Sequence, residues 1–287
     1  MKHKLIESFL AEKAYTEETR TSYQYIINRF LSETCGKHIE ELQELDAVSF
    51  REWLYSHDWG SNTRWLAFSA IRAFLTWKFG NNHPALKLRI KRNNTGPQRT
   101  LTLANAQKLY QFLLNTDTDK GKRDLAIYAL AVDTGLRSSE LCSINIDRID
   151  FERRLLTVRV KGGNWELAVF SPDTALILAN WLEVRTKYNE NVNAVFIGIK
   201  GKKPGTRITP GGLRNIVRKW GVQSGVGKLS PHDFRRSFAA ISTLEQAPVR
   251  LIQMAGRWKN IKEVERYTRG LQLQEFDPYL PMRRITR

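Results

Sequence analysis

Three short stretches of this chain hold side chains whose types and spacing could handle an anion. Residues 134–141 read Thr-Gly-Leu-Arg-Ser-Ser-Glu-Leu, so Arg137 follows a helix-stopping glycine and Glu140 lies three residues on, on the same face if a new helix starts there. A carboxylate so placed can hold a guanidinium in one orientation; an ordinary surface ion pair, worth at most about 1 kcal/mol, has the same spacing. Residues 230–235 read Ser-Pro-His-Asp-Phe-Arg. Serine, proline and an aspartate three residues after the serine mark a helix start, and they put His232 and Arg235 on one face of it. Cations in a first turn oppose the helix dipole unless an anion is to be bound, and free backbone N–H groups at that end favour one. His-x-x-Arg also arises often by chance. Residues 256–263 end one helix and start another, with Asn260 and Glu263 at N-cap and N3 spacing, and Tyr267 falls two turns along the new helix. Taken singly, a tyrosine there reads as amphipathic packing and Trp258 as core.

The elements that must position these groups are mainly helical. Tyr23, Ile26, Ile27, Phe30 and Leu31 recur at helical spacing, as do Ala67, Ala70, Ile71, Phe74 and Leu75; Ile6, Phe9 and Leu10 start a first helix, and Phe50, Trp53 and Leu54 mark a third. These four helices predict a first domain over residues 1–80. Over residues 81–99 the periodicity stops, and Asn, Pro and Gly alternate with Lys87, Arg89, Lys91 and Arg92, the composition of an exposed basic connector. Periodicity resumes with Ala106, Leu109, Tyr110, Leu113 and Leu114. The nearly all-apolar residues 125–132 predict a buried helix, which Gly135 stops as its C-cap. One strand pair follows: Leu156, Val158 and Val160 alternate with polar neighbours, Gly162 and Gly163 turn the chain, and Trp165, Leu167 and Val169 return. Thr209 and Pro210 open a helix that faces Leu213, Ile216, Val217 and Trp220 inward and leaves Arg214 and Arg218 four apart on the other side, beside Lys219. Such a pair could straddle phosphates.

Charge points the same way. The 287 residues carry 46 Lys and Arg against 29 Asp and Glu, a net of +17 at a pI near 10, with 41% apolar positions, which is a folding composition and not a disordered basic tail. Up to Arg92 there are 14 basic and 11 acidic residues; after it, 32 and 18. Residues 200–236 hold ten Lys or Arg against Asp233 alone. That density suits a polyanionic partner, the plainer alternative being a solvated basic face. The longest apolar run is far below the roughly 20 residues that cross a bilayer, and the N-terminus lacks a hydrophobic signal region, so a membrane or secreted protein is not expected. Cys35 and Cys142 show no metal-ligand spacing, which predicts reduced thiols and a cytoplasmic location.

Taken together the motifs resemble the catalytic domain of the tyrosine site-specific recombinases, the family of the Xer, Cre and lambda-type integrases. The matching positions run in that family's order: Arg137 with Glu140, Lys161 at the head of the Lys-Gly-Gly turn, His232 and Arg235, then Trp258 and Tyr267 nine apart. Many members have histidine where Trp258 stands, whereas Cre-like members have tryptophan, so this chain departs from the commonest Xer pattern. A second tyrosine, Tyr279, lies beyond the signature.

The resemblance implies a mainly α fold with a small antiparallel sheet. It comprises a four-helix core-binding (SAM-like) DNA-binding domain, the basic linker, an α+β catalytic domain over residues 100–270, and a tail over 271–287 exchanged between subunits or packed on its own domain. It also implies an enzyme that cleaves and rejoins DNA through a 3′-phosphotyrosine and a Holliday junction, in integration, excision or resolution of a mobile genetic element. Tyr267 is then the nucleophile, Arg137 and Arg235 the phosphate ligands, Lys161 the general acid, His232 a proton-handling group, Trp258 a hydrogen-bond donor and packing group, and Glu140 the orienter of Arg137. Lys87, Arg89, Lys91, Arg92, Arg214, Arg218 and Lys219 become DNA-backbone contacts. The partners implied are double-stranded DNA with specific sites, three further copies of the chain in a tetramer, and accessory proteins; no cofactor or metal is required, because arginines supply the positive charge and the covalent adduct conserves the ester energy. A monomeric type IB topoisomerase with the same chemistry, and a catalytically silent DNA-binding protein of the same fold, are the competing readings.

Overall fold

The computed structural model describes residues 2–35, 39–91, 99–160, 162–200 and 203–268, with the backbone alone for 266–268. The chain divides into two compact units, Met1–Thr95 and Gly96–Arg287. The first holds α1 (Lys2–Glu12), α2 (Glu17–Thr34), α3 (Ala47–Tyr55) and α4 (Ser61–Phe79), with 3-10 turns at Ile39–Glu44 and Pro84–Lys87. Short polar side chains start the helices: Thr16 Oγ1 accepts from Thr19 N at the head of α2, and Asp46 Oδ1 accepts from Ser49 N at 2.7 Å at the head of α3. Every apolar position read from the helical spacing is buried except Tyr23, which is half-buried. The centre is aromatic, with Phe30 edge-on to Trp53 at 4.8 Å and to Phe50 at 6.1 Å.

The expected connector needs a correction. Ala85, Leu86 and Leu88 are buried in this first core, and His83 is buried as well, donating from Nε2 to Leu42 O at 2.7 Å and accepting at Nδ1 from Ala85 N. Lys87, Arg89 and Lys91 are exposed, as read. The segment is too short and too interrupted for a periodic signal, and His83, Ala85, Leu86 and Leu88 point inward because a 3-10 turn, with its three-residue repeat, carries them over α3 and α4. Arg92 lies outside the described residues.

The second unit is built on α6 (Asp119–Thr134), which packs between α5 (Leu103–Leu114), α8 (Pro172–Arg185) and α10 (Pro231–Leu244). Its residues 125–131 are all buried, as a helix covered on every side requires. One buried ion pair sits in this core. Arg123 donates to Asp124 Oδ1 from Nε and Nη2 at 2.9 and 2.6 Å, and Trp220 Nε1 donates to Asp124 Oδ2 at 2.9 Å, tying in α9 (Pro210–Gln223). On α9 the expected split holds, with Leu213, Val217 and Trp220 buried, Ile216 half-buried, and Arg214, Arg218 and Lys219 exposed.

The remaining elements are α7 (Ser138–Ser143), α11 (Val249–Ala255), α12 (Ile261–Thr268) and a three-stranded antiparallel sheet of β1 (Ile149–Asp150), β2 (Leu155–Arg159) and β3 (Trp165–Val169) in the order β1-β2-β3. Leu156 pairs with Ala168 and Val158 with Glu166. The inward face is therefore Leu156, Val158 and Ala168, while the apolar alternation of β3, Trp165, Leu167 and Val169, faces solvent, with the Arg148 guanidinium 5.0 Å from the Trp165 ring. Period-2 alternation identifies a strand, but which of its two faces meets the core is decided by register. The architecture is mainly α with a small antiparallel sheet, and no helix among the described residues is long and apolar enough to cross a membrane.

Truncating the aromatic centre of the first unit tests the packing directly. Phe30→Ala should lower unfolding stability by about 3–5 kcal/mol, read as a shifted urea midpoint at unchanged slope, because it removes a wholly buried ring that packs on Phe50 and Trp53.

Candidate active site

Gly135 ends α6 in the left-handed region, at φ 57°, and a Cβ there would lie 2.9 Å from Phe238 Cδ1. That tight turn delivers Arg137 to the N-cap of α7. Arg137 N donates to Glu140 Oε2 at 2.9 Å and Nη1 to Oε1 at 2.7 Å, so both carboxylate oxygens grip the same residue. Glu140 is 2% exposed and Arg137 33% exposed. A buried carboxylate that accepts from both the backbone N–H and one guanidinium N–H of the same half-open arginine is an orienting device, since it fixes the residue at its base and at its tip.

The start of α10 behaves as its residues predict. Ser230 N donates to Asp233 Oδ2 at 2.7 Å, closing the capping box. His232 is exposed at the first turn, whereas Arg235 is 1% exposed. Arg235 donates from Nη1 to Gly135 O at 2.5 Å and from Nη2 to Gly256 O at 2.7 Å, and its guanidinium carbon lies 4.4 Å from the centre of the Trp258 ring. Partial desolvation, then the cations Arg236, Arg235 and Arg137, hold the His232 imidazole below its ordinary pKa of 6.5, and Asp233 opposes them. Arg137, His232 and Arg235, drawn from separate stretches, are thus within electrostatic reach of one another.

Trp258 follows α11 and is buried against Phe238, the two rings stacked with centroids 6.0 Å apart. Gly256 makes room for it, because a Cβ there would fall 1.9 Å from the Trp258 ring. Asn260 then starts α12, its Oδ1 accepting from Lys262 N at 2.9 Å. Val264 of α12 is fully buried with Ala239 of α10, Ile252 of α11 and Trp258, which holds α12 against the helix carrying His232 and Arg235. Position 267 lies three residues beyond Val264 on that helix; its side chain is outside the description. Lys161 also lies outside the described residues. Its neighbours form a tight hairpin, with Val160 N donating to Asn164 O at 2.9 Å and Gly162 and Gly163 at φ 104° and 87°. The tail, residues 271–287 with Tyr279, is outside the description as well.

Two arginines of this region escaped the sequence reading. Arg236 donates from Nη1 to Asp233 Oδ1 at 3.2 Å and to Arg99 O at 3.3 Å, and adds to the field on His232. Arg257 donates from Nη2 to Thr134 O at 2.8 Å and from Nη1 to Ala255 O at 2.7 Å. Neither has a local spacing signal, because the partners of each include a backbone carbonyl far away in sequence.

Arg137, His232, Arg235 and Trp258 thus stand in the order the motifs predict, on a helical unit with one small antiparallel sheet. Comparison with known proteins supplies the class. Residues 99–273 match the phage integrase family. The tyrosine recombinase XerC of Corynebacterium glutamicum is 30% identical over 239 residues, covering 80% of this chain and 76% of that protein. XerA of Pyrococcus furiosus is 27% identical over 264 residues, covering 91% and 87%. Among solved structures, the XerH recombinase bound to its palindromic difH substrate in a post-cleavage complex superposes with a TM-score of 0.75 at 17% identity, over 92% of this chain and 80% of that one. A lambda integrase dimer bound to a COC′ core site gives 0.71 at 16% identity, over 94% and 96%. The chain belongs to the phage integrase family, the tyrosine recombinases.

The field around His232 can be measured in the free protein. In the folded chain its imidazole should titrate below 6.5 by NMR and move upward in Arg236→Ala. As pH falls, the unfolded chain takes this proton first, so the group subtracts from stability only below about 6.5 and contributes nothing above it. An unshifted or raised titration would remove His232 from the cationic cluster.

Proposed function

We propose that the chain is a site-specific recombinase that cuts and rejoins double-stranded DNA through a covalent 3′-phosphotyrosine. The observation that carries this reading is the gathering of Arg137, His232 and Arg235 around the turn after α6, with α12 packed on the helix that bears two of them. Family membership and the DNA-bound structures of XerH and lambda integrase support the substrate class.

In this reading the Tyr267 phenolic oxygen attacks the scissile phosphorus in line with O5′. The new O–P bond forms as the P–O5′ bond breaks, and the departing electron pair on O5′ takes a proton from the Lys161 ammonium. A phenol of ordinary pKa near 10 is ionised about once in a thousand molecules at pH 7, so cationic neighbours are needed to favour the phenolate. Arg137, already held by Glu140, and Arg235 take the non-bridging oxygens and stabilise the pentacoordinate transition state. The bound phosphate favours the protonated form of His232, which suits that side chain to take the phenol's proton as the O–P bond forms. Trp258 contributes an indole N–H and the packing that sets α12. Because the ester energy is kept in the phosphotyrosine, a 5′-hydroxyl from another strand reverses the step without metal or nucleotide. Four copies on two DNA sites exchange strands pairwise through a Holliday junction. The exposed Lys87, Arg89, Lys91, Arg214, Arg218 and Lys219 make phosphate contacts, and each phosphate neutralised contributes about 0.9 to the slope of log K against log salt.

A nicked suicide duplex, built on the sequence that the chain protects from DNase, tests this reading. Wild type should give a covalent protein–DNA band and Tyr267→Phe none, while both still shift the duplex; Arg137→Ala should cleave on the order of 10²- to 10³-fold more slowly. No adduct with wild type would sink the proposal. For the general acid, a 5′-bridging phosphorothioate supplies a leaving group that needs no proton and should restore cleavage by Lys161→Ala; without that rescue the acid lies elsewhere.

A further inference from the structure

The turn that closes α11 has an unusual occupant. Arg257 N donates to Met254 O and Trp258 N to Gln253 O, both at 3.0 Å, with Arg257 at φ 56°. This pattern is a Schellman cap, whose left-handed position ordinarily holds glycine because a Cβ there is strained. Arg257 also keeps a buried Nε without a hydrogen-bond partner among the described residues. As a helix cap alone, glycine would serve better on both counts.

What glycine cannot do is cross to the other turn. Arg257 joins Thr134 O to Ala255 O, and Arg235 joins Gly135 O to Gly256 O. Two guanidiniums therefore bridge consecutive carbonyls of the same two turns, one leading to Arg137 and the other to Trp258 and α12. The acidic groups whose fields reach Arg257 are Glu140, which grips Arg137, and Glu166 of β3, five residues after Lys161 in sequence. Arg257 borders a cleft of about 300 Å³ shared with Glu166, Gln253 and Trp258.

We propose that Arg257 is a positioning residue for strand cleavage, a second guanidinium clip that sets the Arg137 turn against the turn bearing Trp258 and leading to Tyr267. This rests on the recombinase reading above. Its loss leaves DNA binding intact, since the residue serves the relative placement of reacting groups, and slows the chemical step, which is sensitive to displacements near an ångström.

The test uses the full chain, the suicide duplex at saturating concentration, and three readouts: single-turnover adduct formation, half-saturation in DNA binding, and thermal melting. Arg257→Gly relieves the backbone strain while removing the clip. It should melt close to wild type, bind DNA within about twofold of wild type, and form adduct roughly tenfold or more slowly. Guanidinium ion, far below denaturing concentration and compared with sodium at equal ionic strength, should recover part of the rate by filling the vacated place. Arg257→Lys keeps the charge without the two-pronged reach, and should also cleave slowly with unchanged affinity. Wild-type rates in both variants would overturn the inference, as would a rate loss that tracks weaker DNA binding or a lowered melting midpoint without guanidinium rescue. Absence of adduct from the wild type would overturn the recombinase reading, and this inference with it.

Discussion

Like charges repel, and a site that gathers guanidiniums must hold them against that repulsion before any phosphate arrives to neutralise them. Here the holding is done largely by backbone. Arg235 and Arg257 spend N–H groups on the carbonyls of residues 134, 135, 255 and 256, and Arg137 spends its share on Glu140. Carbonyl oxygens carry partial negative charge at fixed positions, so they anchor cations without consuming the net positive field that attracts a phosphate. Glu140, the carboxylate that grips Arg137, is buried and committed to that residue on both oxygens.

The helices exist, in this view, to present those carbonyls. Residues 134 and 135 are available because α6 stops at a left-handed glycine, and residues 255 and 256 because α11 stops at Ala255, three residues before Trp258; helix C-termini leave carbonyls without intrahelical donors, which is where guanidiniums find acceptors. The two glycines do different work at these stops. Gly135 is required by backbone conformation and by the closeness of Phe238, whereas Gly256 has an ordinary φ and is required by the Trp258 ring lying on it. Packing among Ala239, Ile252, Trp258 and Val264 then fixes the approach of α12.

Much of this was legible in the residues. The first core was readable from 3.6-residue periodicity because each of its helices buries one stripe, and α6 from its unbroken apolar run because it is covered on all sides. Segments without a repeating stripe were read less well: residues 83–88 contribute to the core through a single 3-10 turn, and β3 turns its apolar residues outward because pairing register, set by the hairpin, decides which face is inside. Buried charge was invisible for a similar reason, as the Arg123, Asp124 and Trp220 network pairs an ordinary-looking charged dipeptide with an indole 96 positions away.

By itself the sequence determined the order and local setting of the residues proposed for the site: Arg137 with Glu140 behind a glycine, His232 and Arg235 at a capped helix start, Trp258 nine residues before Tyr267. Those are short-range facts, governed by helix periodicity, capping and turn chemistry, and they persist wherever the segments lie. Only the tertiary structure decided that Arg235 faces two carbonyls from different turns, that Arg257 mirrors it, and that His232 titrates in the combined field of three arginines. Each of these depends on distances between segments about 20 to more than 120 residues apart. Such distances are set by how helices of particular bulk pack, and no local pattern of residues encodes them.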